Sequence, residues 1–256
     1  MSTHHHPFPY GAHHTRKMSS GVKTILVTGA NRGIGLEIAK SYLEKGWKVV
    51  AAVRDVGKMP KLEGDLLVVK IDAASLTDAE EAAQELRTKH NVRDLNILLA
   101  NAGVGIMGPP LAQTPIASFD QSIQINTRGP LLLYQAFRDM LGDGEGNTFA
   151  VVSSKGGSIS TPKRIGFGVY GCSKAAANYL VRAIHFEEPK LKAFAIHPGW
   201  VETEMGINAS NNANMNGTTP QRLEDTVPGI IRLLETATKE EHSGWMWEYN
   251  GNKASL

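Results

Sequence analysis

The sequence predicts one doubly wound α/β domain, with a parallel sheet of about seven strands and helices on both faces. Three observations lead there. From Val22 onward, short apolar runs alternate with longer helical stretches, the pattern of successive βαβ units. The runs are nearly continuous in apolar residues, as strands are when both sheet faces are covered. No internal repeat and no linker divides residues 21–256.

The elements follow in order. Lys23–Thr28 is the first strand, and a glycine-rich turn leads from it into a helix over Ile34–Glu44. Lys48–Val53 and Leu66–Ile71 are the next strands. A helix from Asp78 to His90 places Ala79, Ala82, Ala83 and Leu86 on one face, the spacing of a buried helical stripe. Leu95–Ala100 is a strand, Phe119–Leu141 one long helix and Thr148–Ser153 another strand. Val169–Glu187 is a helix stopped by Pro189, and Leu191–His197 is a strand. Pro228–Thr236 is a helix capped by Asp225 or Thr226, with Pro228 in its first turn, where proline is tolerated. Trp245–Tyr249 is the last strand. Ligands of such sheets bind beyond the carboxyl ends of the strands, so the loops after Thr28, Val53, Ile71, Ala100, Ser153 and His197 are the ones to search.

Composition removes several functions. Lys and Arg total 27 against 25 Asp and Glu, a net charge of +2. Nucleic-acid binding driven by phosphate neutralisation needs a basic excess or stripe, so no nucleic-acid partner is expected. One cysteine, Cys172, excludes an internal disulfide framework and any multi-cysteine metal site. No apolar run approaches the ~20 residues of a membrane helix, and Met1–Lys17 lacks a signal peptide's apolar core. A cytoplasmic protein without a membrane partner is the expectation. Met1–Ser20 holds five of the nine histidines and reads as a disordered arm or tag remnant; clustered histidines that bind metal are the alternative. His90, His185, His197 and His242 show no metal-ligand spacing, so no metal is expected in the domain.

Thr28-Gly29-Ala30-Asn31-Arg32-Gly33-Ile34-Gly35 joins the first strand to the first helix. Residues without Cβ let backbone amides approach a pyrophosphate at a helix N-terminus. A turn of this kind between a first strand and first helix, inside a βαβ unit, reads as dinucleotide-binding. The end of the second strand selects the cofactor. An acid there holds the ribose hydroxyls of NAD, whereas arginine accommodates the 2′-phosphate of NADP. The chain reads Val53-Arg54-Asp55, and Arg32 is a second cation nearby. Two guanidiniums suit a phosphate gripped through paired N–H groups, so NADP(H) is favoured. Asp55 keeps NAD as the alternative, because a one-residue slip would bring an acid to the ribose.

With these residues assembled, the chain resembles the short-chain dehydrogenase/reductase family over nearly all of Val22–Tyr249, with its single Rossmann domain. The family's motifs occur in order: Thr28–Gly35; Asp72 before Ala73; Asn101-Ala102-Gly103; Asn126; Ser153-Ser154; Tyr170-x-x-x-Lys174; and Pro198-Gly199 followed by Val201 and Thr203. The tail, with Trp200, Met205-Gly206, Ser243-Gly244 and Trp247-x-Tyr249, is similar to carbonyl-reductase-type fungal ketoreductases of the norsolorinic-acid-ketoreductase type. One spacing departs. Ser154 to Tyr170 is 16 positions where the family has nearer a dozen, so Lys155–Gly168 carries a small insertion. Ser153 or Ser158 is therefore an alternative to Ser154.

The resemblance implies reduction of a ketone on a small to mid-sized organic substrate, with hydride from the nicotinamide. Tyr170 would donate the proton, Lys174 would lower the Tyr170 pKa and hold the ribose, and Ser154 would hydrogen-bond the substrate oxygen. Asn126 would hold, through its helix backbone, a water linking Lys174 to solvent. Lowering a tyrosine from ~10 by about three units takes about 4 kcal/mol. The cofactor is expected to touch Thr28, Gly29, Asn31, Arg32, Gly33, Ile34, Gly35, Arg54, Asp72, Ala73, Asn101, Ala102, Gly103, Tyr170, Lys174, Pro198, Gly199, Val201 and Thr203. Trp200–Pro220 reads as a long loop resembling the family's substrate lid, in which Trp200, Met205 and Met215 supply adaptable apolar contacts. Family members often pair as homodimers or homotetramers through helices matching Phe119–Leu141 and Val169–Glu187. An NAD-dependent alcohol dehydrogenase and a non-catalytic dinucleotide-sensing regulator are the alternative functions, since fold alone implies no activity.

Overall fold

Apolar residues at consecutive positions build the strands, and a helical layer on each side accounts for them. The computed structural model describes residues 21–142, 146–160, 166–212 and 216–256; the His-rich segment before Ser20 and Met215 lie outside them. In β1 (Thr24–Thr28), Ile25 and Val27 join the core on one face and Leu26 the core on the other. Helices α1 (Gly33–Glu44) and α7 (Leu223–Thr236) cover the first face. Helices α2 (Asp78–Lys89), α4 (Gly129–Leu141) and α5 (Gly168–Glu187) cover the second. Ala79, Ala82, Ala83 and Leu86 are the buried stripe of α2.

The remaining strands are β2 (Lys48–Val53), β3 (Leu66–Lys70), β4 (Ile97–Ala100), β5 (Thr148–Val152), β6 (Lys192–His197), β7 (Met246–Glu248) and β8 (Lys253–Ala254). The sheet order is β3-β2-β1-β4-β5-β6-β7-β8, parallel throughout except for the β7–β8 pair. The chain reverses its direction of winding between β1 and β4, and the crevice at such a reversal binds ligands in open α/β sheets. The antiparallel eighth strand was not expected; it is a two-residue edge too short to show a period. Among the described residues no helix is long and apolar enough to cross a membrane.

Three elements differ from expectation. The helix expected over Phe119–Leu141 is α3 (Ile116–Ile123), a π turn over Gln124–Arg128, and α4. Pro130 has no N–H to offer the Asn126 carbonyl four residues earlier, so the α register cannot run through this point. Helix α7 begins at Leu223, not at Pro228. Asp225 is its third residue, and its carboxylate accepts from the Arg222 N–H at 3.2 Å. Pro228 is tolerated inside because the carbonyl it leaves without a donor belongs to exposed Glu224 in the first turn. The segment Trp200–Pro220, expected as loop, contains helix α6 (Glu204–Asn212). Its polar, Asn-rich sequence gave no clear apolar period.

Candidate active site

The glycine turn and the end of β4 hold each other. Thr28 Oγ1 accepts from the amides of Asn101 and Ala102 at 3.0 and 2.9 Å. Asn101 Nδ2 donates to the carbonyls of Thr28 and Gly29 at 2.8 and 3.4 Å. Asn101 and Thr28 thus brace the turn. Gly29 and Gly33 have φ of +66° and +55°, the left-handed region that glycine enters at no steric cost. A Cβ on Gly35 would stand 2.4 Å from the Gly29 carbonyl oxygen and 2.5 Å from Asn101 Nδ2. Helix α1 starts after Arg32 with no side-chain cap and no acid in its first turn. Uncapped amides at a helix N-terminus behind a glycine turn are a fitting place for a pyrophosphate.

Around the adenosine end, Val53 is buried and Arg54 exposed. Asp55 is turned to its own chain: its carboxylate accepts from Gly57 N at 3.0 Å and lies 3.8 Å from Lys58 Nζ. Asp72 is half-buried, and its carboxylate accepts from Ala74 N at 2.9 Å. Asp78, which the sequence offered only as a helix start, is a buried brace for this loop. It accepts from Asp72 N at 2.9 Å and from Ser75 Oγ at 2.7 Å, and it pairs with Lys70. Ala73 packs so closely on Gly129 that a Cβ there would stand 2.9 Å from its carbonyl oxygen.

The residues expected to handle the proton lie past the ends of β4 and β5 and on the first turns of α5. Asn126 is buried, and its side chain is fully engaged. Oδ1 accepts from Val104 N at 2.9 Å, while Nδ2 donates to Val104 O at 2.9 Å and Ser173 Oγ at 3.0 Å. Any chemistry of Asn126 toward its neighbours is left to its backbone in the π turn. A Cβ on Gly103 would lie 3.0 Å from Asn126 Oδ1 and 3.6 Å from Lys174 Nζ, so only glycine leaves the space between them open. Lys174 is buried and donates to Val152 O at 2.8 Å. Burial pulls it down to about 8.

Ser154 Oγ accepts from Gly156 N at 2.9 Å and lies beside the Tyr170 ring, a Cβ on Gly156 standing 3.1 Å from the one and 3.2 Å from the other. Burial pushes the phenol above its ordinary value, and the neighbouring Ser154 hydroxyl opposes that rise. The expected lowering of Tyr170 by Lys174 is not made by the protein's own groups. The ammonium is held by the Val152 carbonyl and stands 5.8 Å from the centre of the Tyr170 ring. Among the three serines, Ser153 faces the other way. It donates to Asn178 Oδ1 at 2.5 Å and contacts the Lys174 carbonyl at 3.5 Å. Ser158 is buried against Leu256 O, at 3.3 Å. Ser154 alone of the three adjoins Tyr170.

Gly157, the glycine that closes the run Ser153-Ser154-x-x-Gly157, makes that adjacency possible. A Cβ there would lie 2.5 Å from the Lys174 carbonyl carbon and 2.6 Å from Ala175 N. The turn after Ser154 therefore lies directly on the backbone of α5. Residues 161–165 of the loop Lys155–Gly168 lie outside the described ones.

After β6, Gly199 has a φ of +87° and stacks on Gln221, whose Oε1 accepts from Trp200 N at 2.7 Å. Trp200 Nε1 donates to Gly206 O at 2.9 Å, and Val201 is buried. Thr203 Oγ1 accepts from Gly206 N at 3.1 Å, while its methyl would lie 3.3 Å from a Cβ on Gly33. Met205 reaches the loop after β4; a Cβ on Gly105 would meet its Cγ at 3.0 Å. The start of the Trp200–Pro220 segment therefore touches both the β4 loop and the glycine turn.

His197 ends β6 with Nδ1 buried and without a partner among the described residues. Burial lowers it from 6.5 to about 4, helped by Lys155 and opposed by Glu248. A depressed folded-state pKa means that the unfolded chain takes up the proton first. Stability is present above pH 6.5 and is lost as the pH falls toward about 4. His197→Asn should flatten that acid limb by up to about 3 kcal/mol, at ~1.4 per pH unit, in denaturation midpoints followed against pH.

A crevice at the reversal of a doubly wound sheet, floored by a glycine turn and an uncapped helix, is the binding place of the dinucleotide-dependent Rossmann proteins. Within that class the chain belongs to the short chain dehydrogenase family, whose model matches residues 23–214. It is thus an oxidoreductase that uses a nicotinamide dinucleotide. The norsolorinic acid ketoreductase of Dothistroma septosporum is 37% identical over 237 residues, spanning 86% of this chain and 87% of that protein. The norsolorinic acid ketoreductase of Aspergillus parasiticus is 35% identical over 234 residues, spanning 86% and 85%. Among solved structures, the NADPH-bound carbonyl reductase from chicken fatty liver matches at TM-score 0.79 and 28% identity, covering 92% of this chain and 94% of that one.

Proposed function

We propose that the protein is an NADP(H)-dependent ketoreductase that converts a ketone of a mid-sized, largely apolar organic substrate to the alcohol. The observation that carries this reading is the placement of Ser154 Oγ and the Tyr170 ring side by side against Gly156, with Lys174 one helical turn further along α5. The bound nicotinamide dinucleotide supplies the hydride. Tyr170 gives its proton to the substrate oxygen, and Ser154 donates a hydrogen bond to that oxygen as charge builds on it. Lys174 neighbours the Asn126 π turn, where Pro130 leaves the Asn126 carbonyl without its helical donor. That carbonyl can accept from a water that returns a proton to Lys174. The Gly105–Met205 contact and the packing of Leu111 on Gly168 line the substrate side with apolar groups. The names of the relatives make norsolorinic acid the first ketone to try. NADPH oxidation screened over ketones and quinones, with NADH in parallel, tests the reading; no turnover with any carbonyl compound would oppose it.

The cofactor preference rests on Arg32 and Arg54, and on the engagement of Asp55 with Gly57 and Lys58. NADP(H) should bind about ten- to a hundredfold more tightly than NAD(H), the worth of a charged phosphate contact at ~1.5–3 kcal/mol. Equal affinities in a calorimetric titration would remove the assignment. The expected homodimer would form through α4 and α5, where Tyr179 and Phe186 are exposed one above the other on α5. Sedimentation of Phe186→Asp checks it.

A further inference from the structure

Arg32 of the glycine turn is paired with Glu204, the first residue of the lid helix α6. The pair joins positions 172 residues apart in the chain, and both side chains are open to solvent, at 70% and 67% exposure. Beneath it, the Thr203 methyl packs on Gly33, so the pair sits over an existing contact between turn and lid. From these observations we infer that Glu204 is a latch that competes with the cofactor's 2′-phosphate for Arg32, so that NADP(H), unlike NAD(H), releases the start of the lid. The inference rests on the proposed role of Arg32 at the 2′-phosphate.

Competition follows from the chemistry of the fork. Guanidinium grips phosphate best through two N–H groups at once. In the structure Nη1 of Arg32 is given to the Glu204 carboxylate. A phosphate dianion arriving at the same cation also meets the like charge of Glu204, and such juxtapositions are unfavourable. Release costs the carboxylate little. It is open to water already, and as the first residue of α6 it stands at the helix end where a negative charge is favoured. Linkage makes the effect reciprocal: whatever the 2′-phosphate does to the latch, the latch does to phosphate affinity.

The test uses the full chain with adenosine 2′,5′-bisphosphate and 5′-AMP, which differ only in the 2′-phosphate, titrated by calorimetry. Glu204→Gln should tighten the bisphosphate about three- to fivefold, the scale of an exposed ion pair, and leave 5′-AMP unchanged. In an Arg32→Ala background the same change should do nothing. Hydrogen exchange of the amides in Glu204–Asn212 should quicken when the bisphosphate saturates the wild-type chain, and not with 5′-AMP. If Arg32→Ala weakens the bisphosphate while Glu204→Gln leaves it the same or weaker, Arg32 keeps its role and the latch is wrong. If Arg32→Ala itself changes nothing, the role of Arg32 at the phosphate fails, and the latch with it.

Discussion

Tyr170→Phe should lose about 10²–10⁴ in turnover while NADP(H) affinity stays near wild type, the usual worth of one positioned acid. The substitution keeps the ring, so the packing of Tyr170 against Gly156 survives; a Cβ on Gly156 would lie 3.2 Å from that ring. What goes is the hydroxyl, the proposed proton donor. Ser154→Ala leaves that donor in place and should cost about 10²–10³, as one lost oxyanion-type donor does. Steady-state rates on a genuine ketone, beside a cofactor titration, check both. Retention of most activity by Tyr170→Phe would move the acid to another group.

Gly157→Ala is the second large effect, and it touches no substrate. Its Cβ would stand 2.5 Å from the Lys174 carbonyl carbon, 2.6 Å from Ala175 N and 2.8 Å from Lys174 Cβ. Backbone atoms cannot swing aside as a flexible side chain would, so the turn must lift off α5 and carry Ser154 away from Tyr170. Overpacking of this kind destabilises by ~1–3 kcal/mol. A displacement of about 1 Å at a catalytic group costs roughly 10²-fold in rate. Gly108→Ala is the control, since a Cβ there meets nothing within 4 Å. Thermal midpoints and kcat measured together separate the two consequences. An active Gly157→Ala enzyme of lowered stability would show that the loop accommodates the methyl without moving Ser154.

Both predictions depend on information of different origin. Tyr170, Lys174 and Asn126 were legible in the linear chain because the motifs occupy fixed places on regular elements: Lys174 follows Tyr170 by one helical turn, and Asn126 lies mid-helix. The glycine turn was legible because its position between β1 and α1 is local. The sheet itself follows from continuous apolar runs, which need cover on both faces. Those features depend on short-range pattern, and the sequence alone determined them.

Tertiary structure decided what depends on who lies opposite whom. It turned Ser153 toward Asn178 and left Ser154 beside Tyr170, although the two serines are adjacent and chemically alike. It gave Lys174 to the Val152 carbonyl, so that burial sets the Tyr170 ionisation in the protein alone. Helix α6 and the first turn of α7 had weak local signals, and α7 packs so closely on the end of β7 that a Cβ on Gly229 would stand 2.0 Å from Tyr249 O. Arg32 and Glu204 are 172 positions apart, and no periodicity in a sequence relates residues so distant. Local chemistry chose the elements and the candidate groups of the site. Long-range packing chose their partners, because hydrogen bonds and steric contacts are made between surfaces that meet only once the sheet has closed its two layers.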